Sequence, residues 1–175
     1  MNEEIVNKDR KTKISIEKYL EMLGDKDAGT RQAAIIGLGK IGDCLAVPSL
    51  LELIFRDNEE AVKKDILNSL GKIKDKSALP AILKILSEDP SADLRAQAAL
   101  ALGELGNKAV LPVLLNILCN DIDSQVRSNA AYSLSKVGDK HVLAALLEVM
   151  DSDNDQNVRD AALLAVRSMK THMSR

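Results

Sequence analysis

Aromatic side chains are almost missing: the 175 residues include no tryptophan, one phenylalanine and two tyrosines. Any core must therefore be leucine, isoleucine, valine and alanine. That palette favours helix, because good strands draw on aromatic and β-branched residues. Histidine is equally scarce. His141 and His172 stand about thirty residues apart, and neither belongs to an H-E-x-x-H or a Cys/His cluster, so no metal site is implied. Two cysteines, Cys44 and Cys119, lack paired spacing and point to reduced thiols in a cytoplasmic setting. An excess of one charge is absent too, since 24 basic against 26 acidic residues leave a formal net charge of −2. This gives no general pull toward nucleic acid or an anionic membrane. No apolar run approaches membrane-spanning length, and the opening "MNEEIVNKDRKTK" is too charged for a secretory signal.

What the chain does have is a repeat. Arg31, Lys63, Arg95, Arg127 and Arg159 recur every 32 residues. Asp25, Asp57, Asp89, Asp121 and Asp153 keep the same period, six positions ahead of each basic residue. Pro48, Pro80 and Pro112 fall on it as well, with Ala144 in the next slot and Ile16 in the slot before. Three independent columns in phase define units 11–42, 43–74, 75–106, 107–138 and 139–170, with polar tails at 1–10 and 171–175.

Each unit reads as two helices. "AVPSLLELIF" and "VLPVLLNILC" exemplify the first, apolar nearly all round and so buried on most sides. Asp43, Asp75, Asn107 and Asp139 stand ahead of it as cap-type residues. Its proline lies where a missing N–H costs least, or introduces a bend. The second helix carries apolar residues at helical spacing, as in Leu94, Ala98, Leu102 and Leu105. Asp27, Glu59, Ser91, Asp123 and Asp155 precede it as caps or first-turn anions.

A proline in the first helix, aspartate between the helices and Val-Arg or Leu-Arg opening the second resemble the HEAT repeat. "LRAQAALALGELGNKAVLPVL" and "VRSNAAYSLSKVGDKHVLAAL" are most similar to HEAT-like repeats of the phycobilisome-lyase type. The resemblance covers about 160 residues. It implies an all-α fold, an α-α superhelix of about ten helices in five antiparallel pairs, with the proline helices convex and the second helices lining a concave side. It also implies a ladder of ion pairs between successive repeats, built from Asp25, Arg31, Asp57, Lys63, Asp89, Arg95, Asp121, Arg127, Asp153 and Arg159. Lys63 cannot make arginine's forked contacts, so the ladder is expected to be weakest there.

"GLGKIG" at 37–42 imitates a dinucleotide-binding turn, with Asp57, Glu59 and Glu60 about twenty residues on. Its counterparts "SLGKIK", "ALGELG", "SLSKVG" and "AVRSMK" all end a helix, and none follows a strand. Gly39, Gly71 and Gly103 are therefore assigned to close approach of the next repeat. Gly42, Gly106 and Gly138 are assigned to left-handed helix ends, with Lys74 and Lys170 as exceptions. Lys18 and Glu21 occupy columns that are apolar in later units, and Arg167 and Lys170 end the last one. Polar terminal units of this kind lead us to expect an array complete at five repeats.

No serine or cysteine has a histidine base in the repeat frame, and the repeated His-Glu pairs of iron-dependent HEAT hydroxylases do not occur. No catalytic, cofactor or metal residues are assigned, and Cys119 is expected to be half-buried. Function is sought instead in the columns that vary. Positions 29, 33, 36 and 40 of each second helix share one face, opposite the apolar stripe. Ile36, Leu100, Tyr132 and Leu164 place apolar anchors along it, with Lys40, Lys64, Lys72, Gln97, Asn129 and Lys136 around them. Four positive and four negative charges on this face cancel, which argues against nucleic acid. The sequence thus predicts a monomeric, cytoplasmic, non-enzymatic scaffold that holds a protein segment in its concave groove. The phycobilisome-lyase likeness implies an alternative, an accessory factor handling a bilin or other tetrapyrrole, against which the shortage of aromatic stacking partners counts.

Overall fold

A computed structural model describes residues 3–138 and 140–173, with side chains from 12 to 171. The expected cap Asp139 lies outside the described residues, as does the side chain of His172. The described residues form ten α-helices in five antiparallel pairs and no strand. They divide into two compact units, Met1–Ala78 and Leu79–Arg175.

The first unit holds α1 (Glu3–Met22), α2 (Ala28–Ile41), α3 (Val47–Arg56) and α4 (Glu60–Ile73). Helix α1 begins inside the polar segment 1–10 and so extends the first helix of the first repeat. Helix α2 packs on both α1 and α4, and α3 packs on α4. The second unit holds α5 (Leu79–Glu88), α6 (Ala92–Leu105), α7 (Leu111–Asn120), α8 (Ser124–Val137), α9 (Leu143–Ser152) and α10 (Gln156–Met173). There α6, α8 and α10 lie side by side, and α5, α7 and α9 back them in turn.

Local chemistry starts and stops these helices. Asp43, Asp75 and Asn107 each accept a backbone N–H two residues on, at 2.9, 2.8 and 3.0 Å. They cap single 3-10 turns that run straight into α3, α5 and α7. Pro48 and Pro112 sit in the first turn of α3 and α7, where no N–H partner is lost. Asp27, Ser91, Asp123 and Asp155 cap second helices through their side chains. Of the two roles expected for it, Glu59 takes the cap position in the backbone but makes no side-chain cap bond. Glutamate's extra methylene suits it less well than Ser, Thr, Asp or Asn for reaching its own helix's N–H groups.

Gly42 and Gly106 end α2 and α6 with φ of 75° and 70°. Lys74 takes the same left-handed conformation, φ 60°, so it follows its column and is no exception to it. The real exception is Gly138, whose φ of −72° and ψ of 166° are extended.

Packing follows the apolar stripes. Leu94, Ala98, Leu102 and Leu105 are all buried, as are Ile35 and Leu38 of α2, Leu50 and Ile54 of α3, and Ile66, Leu67 and Leu70 of α4. Each fully buried leucine or isoleucine contributes roughly 1.5–3 kcal/mol. Between second helices the chains nearly touch. A Cβ on Gly39 would meet the Ser69 Oγ at 2.5 Å, and one on Gly103 would meet the Ser133 Oγ at 2.6 Å. Those serines are buried and donate to the Ile35 and Ala99 carbonyls at 3.0 and 2.8 Å.

Candidate functional site

The aspartate of each helix-helix turn organises its surroundings. In the first unit the Arg31 Nε and Nη2 groups donate to the two oxygens of Asp57 at 2.6 and 3.0 Å. In the second unit Arg95 holds Asp121 at 2.9 and 3.0 Å, and Arg127 holds Asp153 at 2.9 Å twice. A third nitrogen of each arginine donates to its own turn, at the carbonyls of Asp25, Asp89 and Asp121. Arg159 likewise reaches the Asp153 carbonyl, at 2.5 Å, and bonds Gln156. The carboxylates also accept the N–H of the cap residue two positions on, Glu59, Asp123 and Asp155. Fork-on-fork geometry of this kind couples one repeat to the next.

For Asp57 and Asp121, burial alone would raise the pKa. The arginine fork and the backbone donor outweigh it and hold both below the ordinary carboxylate value. Hydrogen bonding to Arg127, against the opposing cost of burial, does the same for Asp153. A carboxylate with a depressed folded-state pKa adds stability above its unfolded pKa and loses it as pH falls through the folded value. The melting temperature should therefore stay level down to about pH 5 and fall progressively below about pH 4. A thermal series across that range tests this; a transition centred near pH 6 would contradict it.

Two clefts lie at these turns. One of about 510 Å³ includes Leu23, Asp25, Arg31 and Asp57 in the first unit. One of about 460 Å³ includes Cys119, Asp121, Arg127 and Asp153 in the second. They are the same notch of the repeat, and their arginines are already committed to aspartate. Cys119 is exposed, not half-buried as expected. Partial burial of its sulfur, then the nearby Glu148 carboxylate, raise its pKa, the opposite of an activated nucleophile. Among the described residues no group of three or more His, Cys, Asp or Glu could hold a metal ion. Nor is any described helix long and apolar enough to cross a membrane.

The second-helix faces differ from the clefts. On the first unit Ile36 is 40% exposed, and Lys40 and Lys72 are exposed. Lys64 is half-buried and pairs with Glu60 at 3.8 Å. On the second unit Tyr132 and Leu164 are 48% and 64% exposed on the adjacent helices α8 and α10. Leu100 and Gln97 on α6 are only half-buried. Asn129 has structural bonds, donating to the Ala96 carbonyl at 3.1 Å and accepting from Gln125 at 2.8 Å. Lys136 forms an ion pair with Glu104 and lies 5.0 Å from the centre of the Tyr132 ring. The Glu104 hydrogen bond raises its pKa despite partial burial. The candidate residues thus fall into two sets, one on each unit. Exposed Leu45, Phe55 and Ile122 lie outside both and were not singled out by the repeat columns.

Comparison with known proteins settles the family. The family model for HEAT repeats matches residues 16–87 and 79–167. The chain is a HEAT-repeat protein. As an α-solenoid of this family it has a fold that serves generally as a non-catalytic scaffold. Among solved structures it is similar to a chain of the CpcE–CpcF complex of phycocyanin lyase from Nostoc sp. PCC7120, with a TM-score of 0.73 and 21% identity. That alignment covers 89% of this chain and 65% of the other, so the HEAT-repeat chain spans just under two thirds of its neighbour. Human deoxyhypusine hydroxylase aligns with a TM-score of 0.45 and 17% identity, over 89% of this chain and 84% of that one. No curated protein matches the sequence.

Proposed function

We propose that this HEAT-repeat protein is a non-enzymatic adaptor that holds a protein segment against the exposed face of its second helices. The observation that carries this reading is the pair of large apolar side chains at matching positions on neighbouring helices, Tyr132 and Leu164. A tyrosine at the centre of a mixed polar surface is the usual form of a binding anchor, and its ring is already held in place by Lys136. Leu100 is half-buried and serves as the inner edge of this patch. Ile36 is the corresponding anchor of the first unit.

The double variant Tyr132→Asp, Leu164→Asp removes both anchors without touching the core. Partners recovered from the source cells by affinity pull-down and mass spectrometry should bind it at least about tenfold more weakly, as expected for two anchor residues. Its unfolding free energy should change by no more than about 0.5 kcal/mol, as for exposed sites generally. Undiminished capture would remove this face from the function.

A second reading follows from the fold likeness to a phycocyanin-lyase subunit. On that reading the chain is an accessory subunit handling a bilin or related tetrapyrrole. Titration of a bilin into the purified protein decides it, because a bound and ordered chromophore changes its absorption. An unchanged spectrum eliminates this reading.

A further inference from the structure

We propose that Lys40 and Lys72 form a clamp for one carboxylate, so that the first unit selects an acidic residue set beside an aliphatic anchor in the bound segment. This rests on the protein-binding reading above and adds the chemistry of the partner.

Two helix pairs of the fold pack alike. In α2 and α4, Gly39 abuts Ser69, whose hydroxyl donates to the Ile35 carbonyl. In α6 and α8, 64 positions on, Gly103 abuts Ser133, whose hydroxyl donates to the Ala99 carbonyl. The equivalent ion pairs Arg31–Asp57 and Arg95–Asp121 fix the same turn ends. One residue after the glycine and one turn after the serine, the position-40 column of the second pair holds Glu104 and Lys136, which meet in a direct ion pair. Side chains at these two places therefore reach one another across a repeat.

In the first pair the same two places hold Lys40 and Lys72. Both are exposed, and among the described residues neither has an ion-pair partner. Two ammonium groups set where a glutamate and a lysine otherwise meet repel one another, and an anion between them takes the part that Glu104 plays for Lys136. Asp65 on the same face is already engaged, accepting from Gln32 at 2.7 Å. The exposed Ile36 stands one helical turn before Lys40, so an aliphatic contact and the clamp share one short footprint. A peptide carboxylate fits this better than a phosphate. Phosphate sites commonly recruit backbone N–H groups or arginine forks, and the last turn of a helix, where both lysines lie, offers neither.

The variant K40E tests the proposal cleanly, because it recreates in α2 and α4 the glutamate–lysine arrangement that α6 and α8 already carry. Random peptides displayed on phage are selected on the full chain, then synthesised and assayed singly. Those whose binding is lost on Ile36→Asp should contain aspartate or glutamate beside an aliphatic residue. Against K40E they should bind at least about tenfold more weakly, with the melting temperature unlowered. Ile36-dependent peptides without a carboxylate, or with unchanged affinity for K40E, overturn the clamp and leave protein binding intact. So does a selection in which every peptide depends on Tyr132 and Leu164 alone. Displacement of the peptides by micromolar inorganic phosphate also overturns it, by making the lysines a phosphate site. Recovery of no binding peptide overturns both readings.

Discussion

Gly103→Ala should destabilise the protein by about 2 kcal/mol, even though alanine is favoured over glycine inside a helix by about 1 kcal/mol. The opposing effect is space. The new methyl would stand 2.6 Å from the Ser133 Oγ, 2.8 Å from its Cβ and 2.9 Å from its Cα. A hydroxyl at the end of a side chain can turn away, but a Cα cannot, so α6 and α8 would have to separate. Overpacking of this kind costs about 1–3 kcal/mol, and loss of the buried Ser133 bond to the Ala99 carbonyl adds about 1 kcal/mol. The clash and the lost bond therefore exceed the propensity gain. Adding Ser133→Gly removes the Oγ and Cβ contacts but leaves the Cα, so it should restore only part of the loss. Urea unfolding of the single and double variants measures both values. A Gly103→Ala protein as stable as the wild type would mean that the helices are not held this close.

The repeat explains why so much of the fold was legible in one sequence. Every helix appears five times over, so an apolar stripe or a turn aspartate is checked against its own copies. The columns did not reveal which residue each glycine meets. The column of Gly37 otherwise holds serine and alanine, and a Cβ at Gly37 would fall 2.5 Å from the Tyr19 ring of α1. The same column supplies Ser69 and Ser133, the surfaces on which Gly39 and Gly103 rest. Small residues in two columns are one device, and the pairing is between repeats, where periodicity within a single helix carries no information.

The candidate face was less legible for a related reason. Column variation marks what differs between repeats but not what each side chain is bonded to. Asn129 bridges α8 to the α6 backbone, and Lys136 pairs with Glu104. Leu100 shares the column of Tyr132 and Leu164, yet it is half-buried while they are exposed. Cys119 shows the converse: its column also holds Phe55, Ser87 and Asp151, and all four are exposed. Exposure depends on how neighbouring helices are placed.

Asp121→Ala is expected to cost about 3 kcal/mol, the low end for breaking a buried ion pair by removing one partner. The Asp121 carboxylate ties one repeat to the next and holds its own turn together. It accepts two bonds from Arg95, at 2.9 and 3.0 Å, and it accepts the N–H of Asp123 at 2.9 Å. The two side chains are only 12% and 6% exposed, so water replaces little of what is lost. The cost stays at the lower limit because Arg95 keeps its bonds to the Asp89 and Pro90 carbonyls. Asp121→Asn retains an acceptor for the Asp123 N–H and loses the charge, so it should fall between the wild type and alanine. Glu52→Ala provides the contrast: its ion pair with Arg56 is 72% and 62% exposed, and its loss should change stability by less than about 0.5 kcal/mol. If the two alanine variants melt alike, the turn aspartates do not couple the repeats. If they differ as expected, the Asp121→Ala protein should also lose part of the acid sensitivity below about pH 4, because one of the depressed carboxylates is gone.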